Sequence, residues 1–216
     1  MNKDMKKYYA QRAFEYEGIY RRSERQTDLA LLEQRVSKAF DGLDVLEIAC
    51  GTGYWTRFIA RSAKSIFAVD CNAEGIVLAS EKDYGTNCRV NFIRCDAYEL
   101  NDIGTDFSGA FCGFWWSHLP QDRIATFLET LHFRLRPDAR VLMIDNRFVH
   151  GSSTPISRRD ANGNSYQRRT LADGSIHEVL KNFPTETELQ VAVKKFGHRI
   201  RVTNHEFYWV LEYLSR

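Results

Sequence analysis

The sequence lacks several features that would assign it to a large class of proteins. Its 216 residues contain no apolar run of 18 residues, so no membrane-spanning helix is expected. No apolar segment follows the charged N-terminal residues 1–7, so no secretory signal peptide is expected. The five cysteines include no Cys-x-x-Cys pair, which argues against a disulfide framework or a zinc site. These absences favour a reduced, cytoplasmic chain with buried thiols.

An excess of basic charge is also absent. The formal net charge is +2, which argues against a nucleic-acid-binding protein that relies on bulk charge. There is no internal repeat and no low-complexity segment. What is present is a hydrophobic content of 44%, which is enough for a large core in one domain with room for a lid.

Short apolar runs alternate with amphipathic stretches through the middle of the chain. Helical spacing is clearest at 124–131, and two helices are predicted at 4–20 and 23–40. Continuous apolar strands between amphipathic helices predict a parallel sheet that is covered on both faces. The predicted strands are 43–49, 65–69, 89–94, 109–114 and 140–144.

The C-terminal segment predicts a different pairing. A helix at 185–196 precedes two strands at 199–204 and 206–213, which only one or two residues separate, so they must pair antiparallel. We therefore expect an α/β, Rossmann-like fold with a seven-stranded, mostly parallel sheet, a C-terminal antiparallel hairpin and helices on both faces. The predicted parts are a helical lid at 1–40, a core at 41–146, an insertion at 147–182 and closing elements at 183–216.

The clearest motif is a glycine turn between the first predicted strand and a helix. Residues 44–56 read DVLEIACGTGYWT, and Gly51 and Gly53 allow a sharp turn that a ligand can approach closely. Asp70 ends the second strand, where a carboxylate can accept hydrogen bonds from ribose hydroxyls. Asp96 ends the third strand, where it can bind an adenine amino group. Either aspartate alone could be a helix cap, but the three positions together predict a nucleoside site.

Five segments resemble the class I S-adenosylmethionine-dependent methyltransferases. The resemblance covers residues 43–146 and rests on EIACGTGYWT, VDCN, RCDAYEL, FWWSHLP and LRPDARVLMID. It implies that the cofactor is S-adenosylmethionine and that S-adenosylhomocysteine is a product. One departure exists, because the first glycine of the family's motif is Ala49 here.

The resemblance also implies which residues hold the cofactor, group by group. Glu47, Ala49 and Gly51 would surround its methionine part, with Gly53 and Trp55 in the same loop; Asp70 would hold the ribose; Cys71, Asp96 and Ala97 would flank the adenine; and Gly113 and Phe114 would lie beneath the cofactor.

The ends of the chain resemble a narrower group, the small bacterial O-methyltransferases of phosphonate (dehydrophos) biosynthesis. The segments that carry this similarity are YYAQRAFEY at 8–16, GYWT at 53–56, SHLP at 117–120 and RRTLADG at 168–174. The similarity spans nearly the whole chain. It does not determine the acceptor, because related methyltransferases differ mainly in their lids.

Three other functions remain as alternatives. A nicotinamide dehydrogenase would need glycine or alanine at the third motif position, which is Thr56. A nucleic-acid methyltransferase that acts on amino groups would carry an Asn/Asp-Pro-Pro-aromatic loop, whereas residues 114–120 read FWWSHLP. A protein that binds the cofactor without turnover shares the same loop, and the sequence leaves it open.

The N-terminal segment carries a polar aromatic face. Tyr8, Arg12 and Tyr16 are spaced at i, i+4 and i+8, so they lie on one side of a helix. We expect this face to close over the cofactor, with Arg12 near its carboxylate and a tyrosine ring near its sulfonium. The alternative is an amphipathic helix that packs on the edge of the sheet.

The positive charge of the insertion after the fifth predicted strand predicts the chemical class of the acceptor. Segment 146–169 contains five arginines and one acid, a local charge of +4, and its Gly, Ser, Asn and Pro content predicts a mobile segment over the acceptor site. A small anionic molecule that is methylated on oxygen is therefore expected. Arg168 and Arg169 fall on opposite faces of a predicted strand at 166–171, and Arg168 is predicted to point inward.

His118 is the other candidate catalytic residue. It follows the fourth strand, where it is either a general base for an acceptor hydroxyl or a cap for the helix that begins near Pro120. The remaining histidines show no metal-binding spacing, so no metal site is expected.

Overall fold

The computed structural model describes residues 3–216, and a seven-stranded sheet forms its centre. Residues 1 and 2 of the predicted N-terminal lid lie outside the described residues. The strands of this sheet are β1 (Asp44–Ile48), β2 (Ser65–Asp70), β3 (Arg89–Arg94), β4 (Phe107–Gly113), β5 (Leu135–Asn146), β9 (Gly197–Asn204) and β10 (Tyr208–Ser215).

The sheet has the predicted mixture of parallel and antiparallel pairs. Its strand order is β3-β2-β1-β4-β5-β10-β9, and every pair from β3 to β5 is parallel. Strand β10 is antiparallel to both β5 and β9, which confirms the predicted C-terminal hairpin. Because the carboxyl ends of β1 to β5 meet at one edge, the loops that follow them lie together there.

The helices cover both faces of the sheet. They are α1 (Lys3–Arg12), α2 (Gln26–Ala39), α3 (Thr56–Ile59), α4 (Ala73–Ser80), α5 (Ile124–His132) and α6 (Glu186–Val193). The predicted helix at 4–20 is α-helical only as far as Arg12 and continues as a 3₁₀ helix over Ala13–Arg21. Within the part of the chain that the structure describes, no helix is long and apolar enough to cross a membrane.

Two apolar layers hold the helices to the sheet. On one face Leu32 and Val36 of α2 pack with Phe40 and with Phe111 of β4. On the other face the apolar stripe of α5 packs with strand residues such as Leu46 and Trp209. All of these side chains are buried, so the sheet is fixed between two dry layers and its carboxyl edge is a rigid support for the loops.

The insertion after β5 forms a second sheet, which we call the lid sheet. It consists of β6 (Arg158–Arg159), β7 (Ser165–Thr170) and β8 (Ile176–Leu180), all antiparallel. The sequence predicted an irregular, mobile segment with one strand, whereas the structure shows three paired strands. Helix α1 packs on this sheet, because Met5 and Tyr8 form an apolar cluster with Val179 and Leu180.

Candidate functional site

The glycine turn after β1 contains three residues in the left-handed backbone region. Ala49, Gly51 and Gly53 have φ values of 54°, 54° and 75°. A side chain on Gly53 would lie 2.2 Å from the Tyr84 hydroxyl, so glycine is needed there for both conformation and space. Ala49 adopts the same φ region without being glycine, a strain that is typical of ligand-binding sites.

Helix α4 approaches this turn closely at Gly75. A Cβ atom on Gly75 would lie 2.9 Å from the carbonyl oxygen of Gly51. The turn and the helix therefore touch backbone to backbone. Sequence reasoning did not identify Gly75, because its role depends on a neighbour 24 positions away.

Asp70 connects the turn to the second strand. One carboxylate oxygen accepts the backbone N–H of Gly51 at 2.9 Å, and the other accepts that of Asn72 at 2.8 Å. Burial raises the pKa of Asp70, and these N–H groups counteract the rise. Asp70 therefore shapes the turn, and because its residue also lines the cavity described below, its carboxylate is placed to accept a ligand hydroxyl.

Asp96 lies at the end of β3 and contacts α1. It accepts hydrogen bonds from the Lys6 ammonium at 3.0 Å and from the backbone N–H of Tyr98 at 3.2 Å. Burial alone would raise the pKa of Asp96, but these two donors lower it below its usual value. The carboxylate at the predicted adenine position is therefore ionised and is linked to the N-terminal helix.

These loops enclose a cavity that we call the loop cavity. The ends of β1 to β4 form its floor, and Tyr9, Ala13, Tyr16 and Tyr20 of the N-terminal segment form its roof. Nine of the thirteen predicted cofactor residues line it: Ala49, Gly51, Trp55, Asp70, Cys71, Asp96, Ala97, Gly113 and Phe114.

The other four predicted residues lie elsewhere. Glu47 is buried behind the turn, where its carboxyl group accepts the Thr56 hydroxyl at 2.7 Å. Gly53 shapes the turn without lining the cavity, and Tyr8 and Arg12 line a neighbouring cavity. The prediction that Arg12 lies at the cofactor is therefore corrected, because the helical face that carries it turns toward the lid sheet.

The loop cavity suits an adenosyl ligand that carries a positive sulfur. Asp70 and Asp96 offer carboxylate oxygens at the two expected positions, and the walls between them include several aromatic rings. Burial raises the pKa of the Tyr16 and Tyr20 hydroxyls, so both rings are neutral and can face a cation. This donor set and these rings fit S-adenosylmethionine.

A second cavity adjoins the first, and we call it the arginine cavity. The two share Tyr9, Tyr16, Tyr20, Phe114 and His118. No carboxylate side chain occurs among the described residues that line the arginine cavity, although five cationic ones do: Arg12, Arg22, Arg25, Arg169 and Lys181.

Lys181 is the buried cation of this group. Its ammonium donates to the Ser117 hydroxyl at 2.6 Å and to Asp145 at 3.2 Å. Burial lowers the pKa of Lys181 below its usual value, and the Asp145 charge offsets only part of this fall. Asp145 is fully buried and also accepts the backbone N–H and the hydroxyl of Ser117. This network of Ser117 and Asp145 holds the Lys181 amino group at the wall of the cavity, and no pattern in the sequence indicated it.

Of the arginines in the insertion, only Arg169 lines the arginine cavity. Alternation along β7 does place Arg168 and Arg169 on opposite faces, but Arg169 lines the cavity whereas Arg168 is exposed. The choice of Arg168 as the inward residue was wrong, because Gln167, its neighbour on the inner side of the strand, is the fully buried one.

The remaining insertion arginines bind protein groups or solvent. Arg158 pairs with Glu178 at 2.6 Å and lies over the Tyr166 ring. Arg147 donates to the backbone carbonyl of His205, and Arg159 is exposed. Four of the five cations in the arginine cavity therefore come from outside the predicted charge cluster.

His118 lies at the junction of the two cavities. The Leu180 carbonyl can only accept, so the 2.8 Å contact assigns the proton to Nδ1, and Nε2 accepts the Tyr9 hydroxyl at 2.8 Å. Burial, and then the Lys181 charge, hold the pKa of His118 well below its usual value. The backbone N–H of Gln121, at the start of the 3₁₀ helix after Pro120, donates to the Asn164 side chain at 2.9 Å, so His118 is not the predicted cap.

The described residues contain no group of three or more His, Cys, Asp or Glu side chains that could hold a metal ion.

Comparisons with known proteins agree with this geometry. Residues 45–138 match the model of a methyltransferase domain. No curated protein matches the chain. The solved complex of DhpI with SAH is 27% identical, with a TM-score of 0.77 over 98% of this chain and 95% of that one. A complex of DhpI with SAM and HEP gives the same identity and TM-score over 97% and 95%.

A more distant structure supports the fold alone. The 1,6-didemethyltoxoflavin-N1-methyltransferase of Burkholderia thailandensis, solved with 1,6-didemethyltoxoflavin and S-adenosylhomocysteine, is 18% identical. Its TM-score is 0.62, and the match covers 98% of this chain and 87% of that one.

Proposed function

We propose that this chain, an S-adenosylmethionine-dependent methyltransferase similar to DhpI, methylates an oxygen atom of a small anionic molecule. The observation that carries the proposal is the arginine cavity. Five cationic side chains line it, no carboxylate of the described chain does, and it shares five lining residues with the loop cavity. A cavity of this charge favours an anion over a neutral molecule.

The loop cavity is the proposed cofactor site. When bound, S-adenosylmethionine supplies a methyl group on a positively charged sulfur, and S-adenosylhomocysteine is the product. Asp70 would bind the ribose and Asp96 the adenine side. Tyr9, Tyr16 and Phe114 line both cavities, so they would exclude water where the two ligands meet.

The state of His118 supports an anionic acceptor. A neutral hydroxyl must lose its proton during transfer and therefore needs an effective base. The Nε2 atom of His118 is occupied by the Tyr9 hydroxyl, and its pKa is held low, so this imidazole is a weak base. A carboxylate or phosphonate oxygen arrives deprotonated and needs only orientation, which Lys181 can provide.

The similarity to DhpI supports a small acceptor, because DhpI was solved in a complex with SAM and HEP. Helix α1 and the lid sheet wall the arginine cavity, and we propose that they act together as a lid. An RNA acceptor would need an open surface, so RNA serves as a comparison in the test. The five unpaired cysteines support a reducing, cytoplasmic location.

A methyl-transfer screen tests the proposal. Small phosphonates, carboxylates, phenols and a short RNA are offered to the wild type, to Lys181→Met and to the exposed control Lys194→Met. We expect transfer to an anion, with kcat/KM lowered about 10- to 100-fold in Lys181→Met because a charge-assisted hydrogen bond is lost. S-adenosylhomocysteine affinity should stay within about twofold in both variants.

A second variant separates lost binding from lost folding. Lys181→Met leaves Asp145 buried without its partner, so Lys181→Met/Asp145→Asn removes both charges together. The same loss of activity in this double variant supports the proposal. Preferred transfer to a phenol, abolished by His118→Gln and kept in Lys181→Met, would instead show a neutral acceptor with His118 as its base.

A further inference from the structure

We infer that the acceptor carries a second anionic group, separate from the group that is methylated, and that Arg169 and Arg12 bind it. The inference rests on the proposed function and deepens it. It predicts a small acid with two anionic groups, such as a phosphonate that also bears a carboxylate.

The charges of the arginine cavity are only partly compensated by the protein. Lys181 pairs with Asp145, and Glu24 lies 3.8 Å from Arg22 and 3.9 Å from Arg25. Arg12 and Arg169 differ, because within residues 3–216 neither has a carboxylate within 4.0 Å. A single anionic group at Lys181 would leave both of these guanidinium charges uncompensated.

Arg169 and Arg12 also disfavour each other. Burial lowers the pKa of Arg169, and the charges of Arg12 and Arg22 lower it further, while the two adjacent tyrosines raise it. Like charges in a partly buried space are costly unless an anion lies between them. An anionic group of the ligand supplies that compensation.

Gln167 orients the guanidinium of Arg169. The Arg169 guanidinium donates to the side-chain amide oxygen of Gln167 at 2.6 Å. Gln167 is fully buried, and its amide group donates to the backbone carbonyl of Thr154. The guanidinium is therefore fixed by a buried side chain, as expected for a binding group and not for a solvated surface arginine.

Arg169 and Lys181 are attached at opposite ends of the lid sheet. Arg169 is directly opposite His177 in the β7–β8 pair, and Lys181 follows His177 by four residues. Four residues of extended strand span about 13 Å, and both side chains line the same cavity. The two side chains therefore reach the cavity from different ends of the sheet, and a ligand with two anionic groups can contact both.

The test compares ligands that differ by one anionic group. Binding of methylphosphonate and of 3-phosphonopropionate to the protein saturated with S-adenosylhomocysteine is measured by calorimetry. The variants are Arg169→Gln, Arg12→Gln and the control Arg168→Gln, which changes the adjacent, exposed arginine. Thermal unfolding of each variant verifies that it is folded.

We expect 3-phosphonopropionate to bind the wild type at least about 10-fold more tightly than methylphosphonate, as a charge-assisted pair allows. Arg169→Gln should remove this gain while methylphosphonate affinity stays within about twofold. Arg12→Gln should remove part of the gain, and Arg168→Gln none.

Two results would overturn the inference while leaving the proposed function intact. One is equal affinity of both ligands for the wild type. The other is an equal loss for both ligands in Arg169→Gln, which would place Arg169 on the same group as Lys181. Failure of both ligands to bind the wild type would contradict the anionic acceptor itself, and the inference with it.

Discussion

Glu47 is a buried carboxyl group that couples the stability of the fold to pH. It is 1% exposed, and burial raises its pKa to about 8, while the Thr56 hydroxyl counteracts the rise. Glu47 lies two residues before Ala49, the first left-handed residue of the turn. The hydrogen bond to Thr56 ties β1 to the helix that follows the turn.

We predict that Glu47 makes the protein less stable as pH rises from about 4.5 to about 8. In this range the unfolded chain releases the proton of Glu47 while the folded chain retains it, so the free energy of unfolding falls. Urea unfolding between pH 5 and 8 should show a steeper decline for the wild type than for Glu47→Gln. The exposed control Glu81→Gln should follow the wild type, and parallel curves for all three proteins would contradict the prediction.

Close backbone packing is the decisive feature at the scale of the elements. Strand β1, the glycine turn and α4 are held together without intervening side chains, because Gly75 touches Gly51. The lid sheet and α1 form the opposite wall through an apolar cluster, with polar contacts from Lys6 to Asp96 and from Tyr9 to His118. The cavities therefore lie between two walls. Backbone contact holds the wall at the glycine turn, and side-chain contacts hold the wall formed by α1 and the lid sheet.

We predict that Gly75→Ala weakens S-adenosylhomocysteine binding about 10-fold or more, because a Cβ atom 2.9 Å from a carbonyl oxygen forces the turn to shift. Gly104→Ala is the matched control, since no atom lies within 4 Å of its added Cβ. Calorimetric titration measures both. Wild-type affinity in Gly75→Ala would show that the turn adjusts freely and that the contact has no role in binding.

The loop cavity, the proposed cofactor site, joins distant parts of the chain, so a ligand bound there should stabilise the whole molecule. The N-terminal segment provides the roof of this cavity, and the ends of four strands provide its floor. A ligand that binds only the folded state adds about 2.7 kcal/mol at 100 times its Kd.

We predict that S-adenosylhomocysteine at 100 times its Kd raises the Tm by about 5–10 °C, as expected for a domain of this size. NAD should give no shift. Asp70→Asn should abolish most of the rise at the same ligand concentration, whereas the exposed control Asp102→Asn should keep it. Differential scanning fluorimetry measures the Tm of the wild type with each ligand and of both variants with S-adenosylhomocysteine. An equal rise in Asp70→Asn would contradict the role of Asp70 at the ribose.

The sequence alone predicted the fold and brought together most of the residues that line the loop cavity, because both depend on local patterns. Continuous apolar runs identify buried parallel strands, and the short link between the last two strands requires antiparallel pairing. Positions at the carboxyl ends of such strands meet at one edge, so Gly51, Asp70 and Asp96 could be placed together from their spacing. The same logic separated Arg168 from Arg169.

The tertiary structure alone decided which charges line the arginine cavity. Alternation shows that two neighbouring side chains diverge, but the inward face depends on what the strand packs against, and here α1 and Gln167 turn Arg169 inward. Lys181 and Arg25 come from segments far apart in the chain, and no local pattern brings them together. The state of His118 likewise depends on Leu180, Tyr9 and Lys181, because burial and neighbouring charges are properties of the folded molecule.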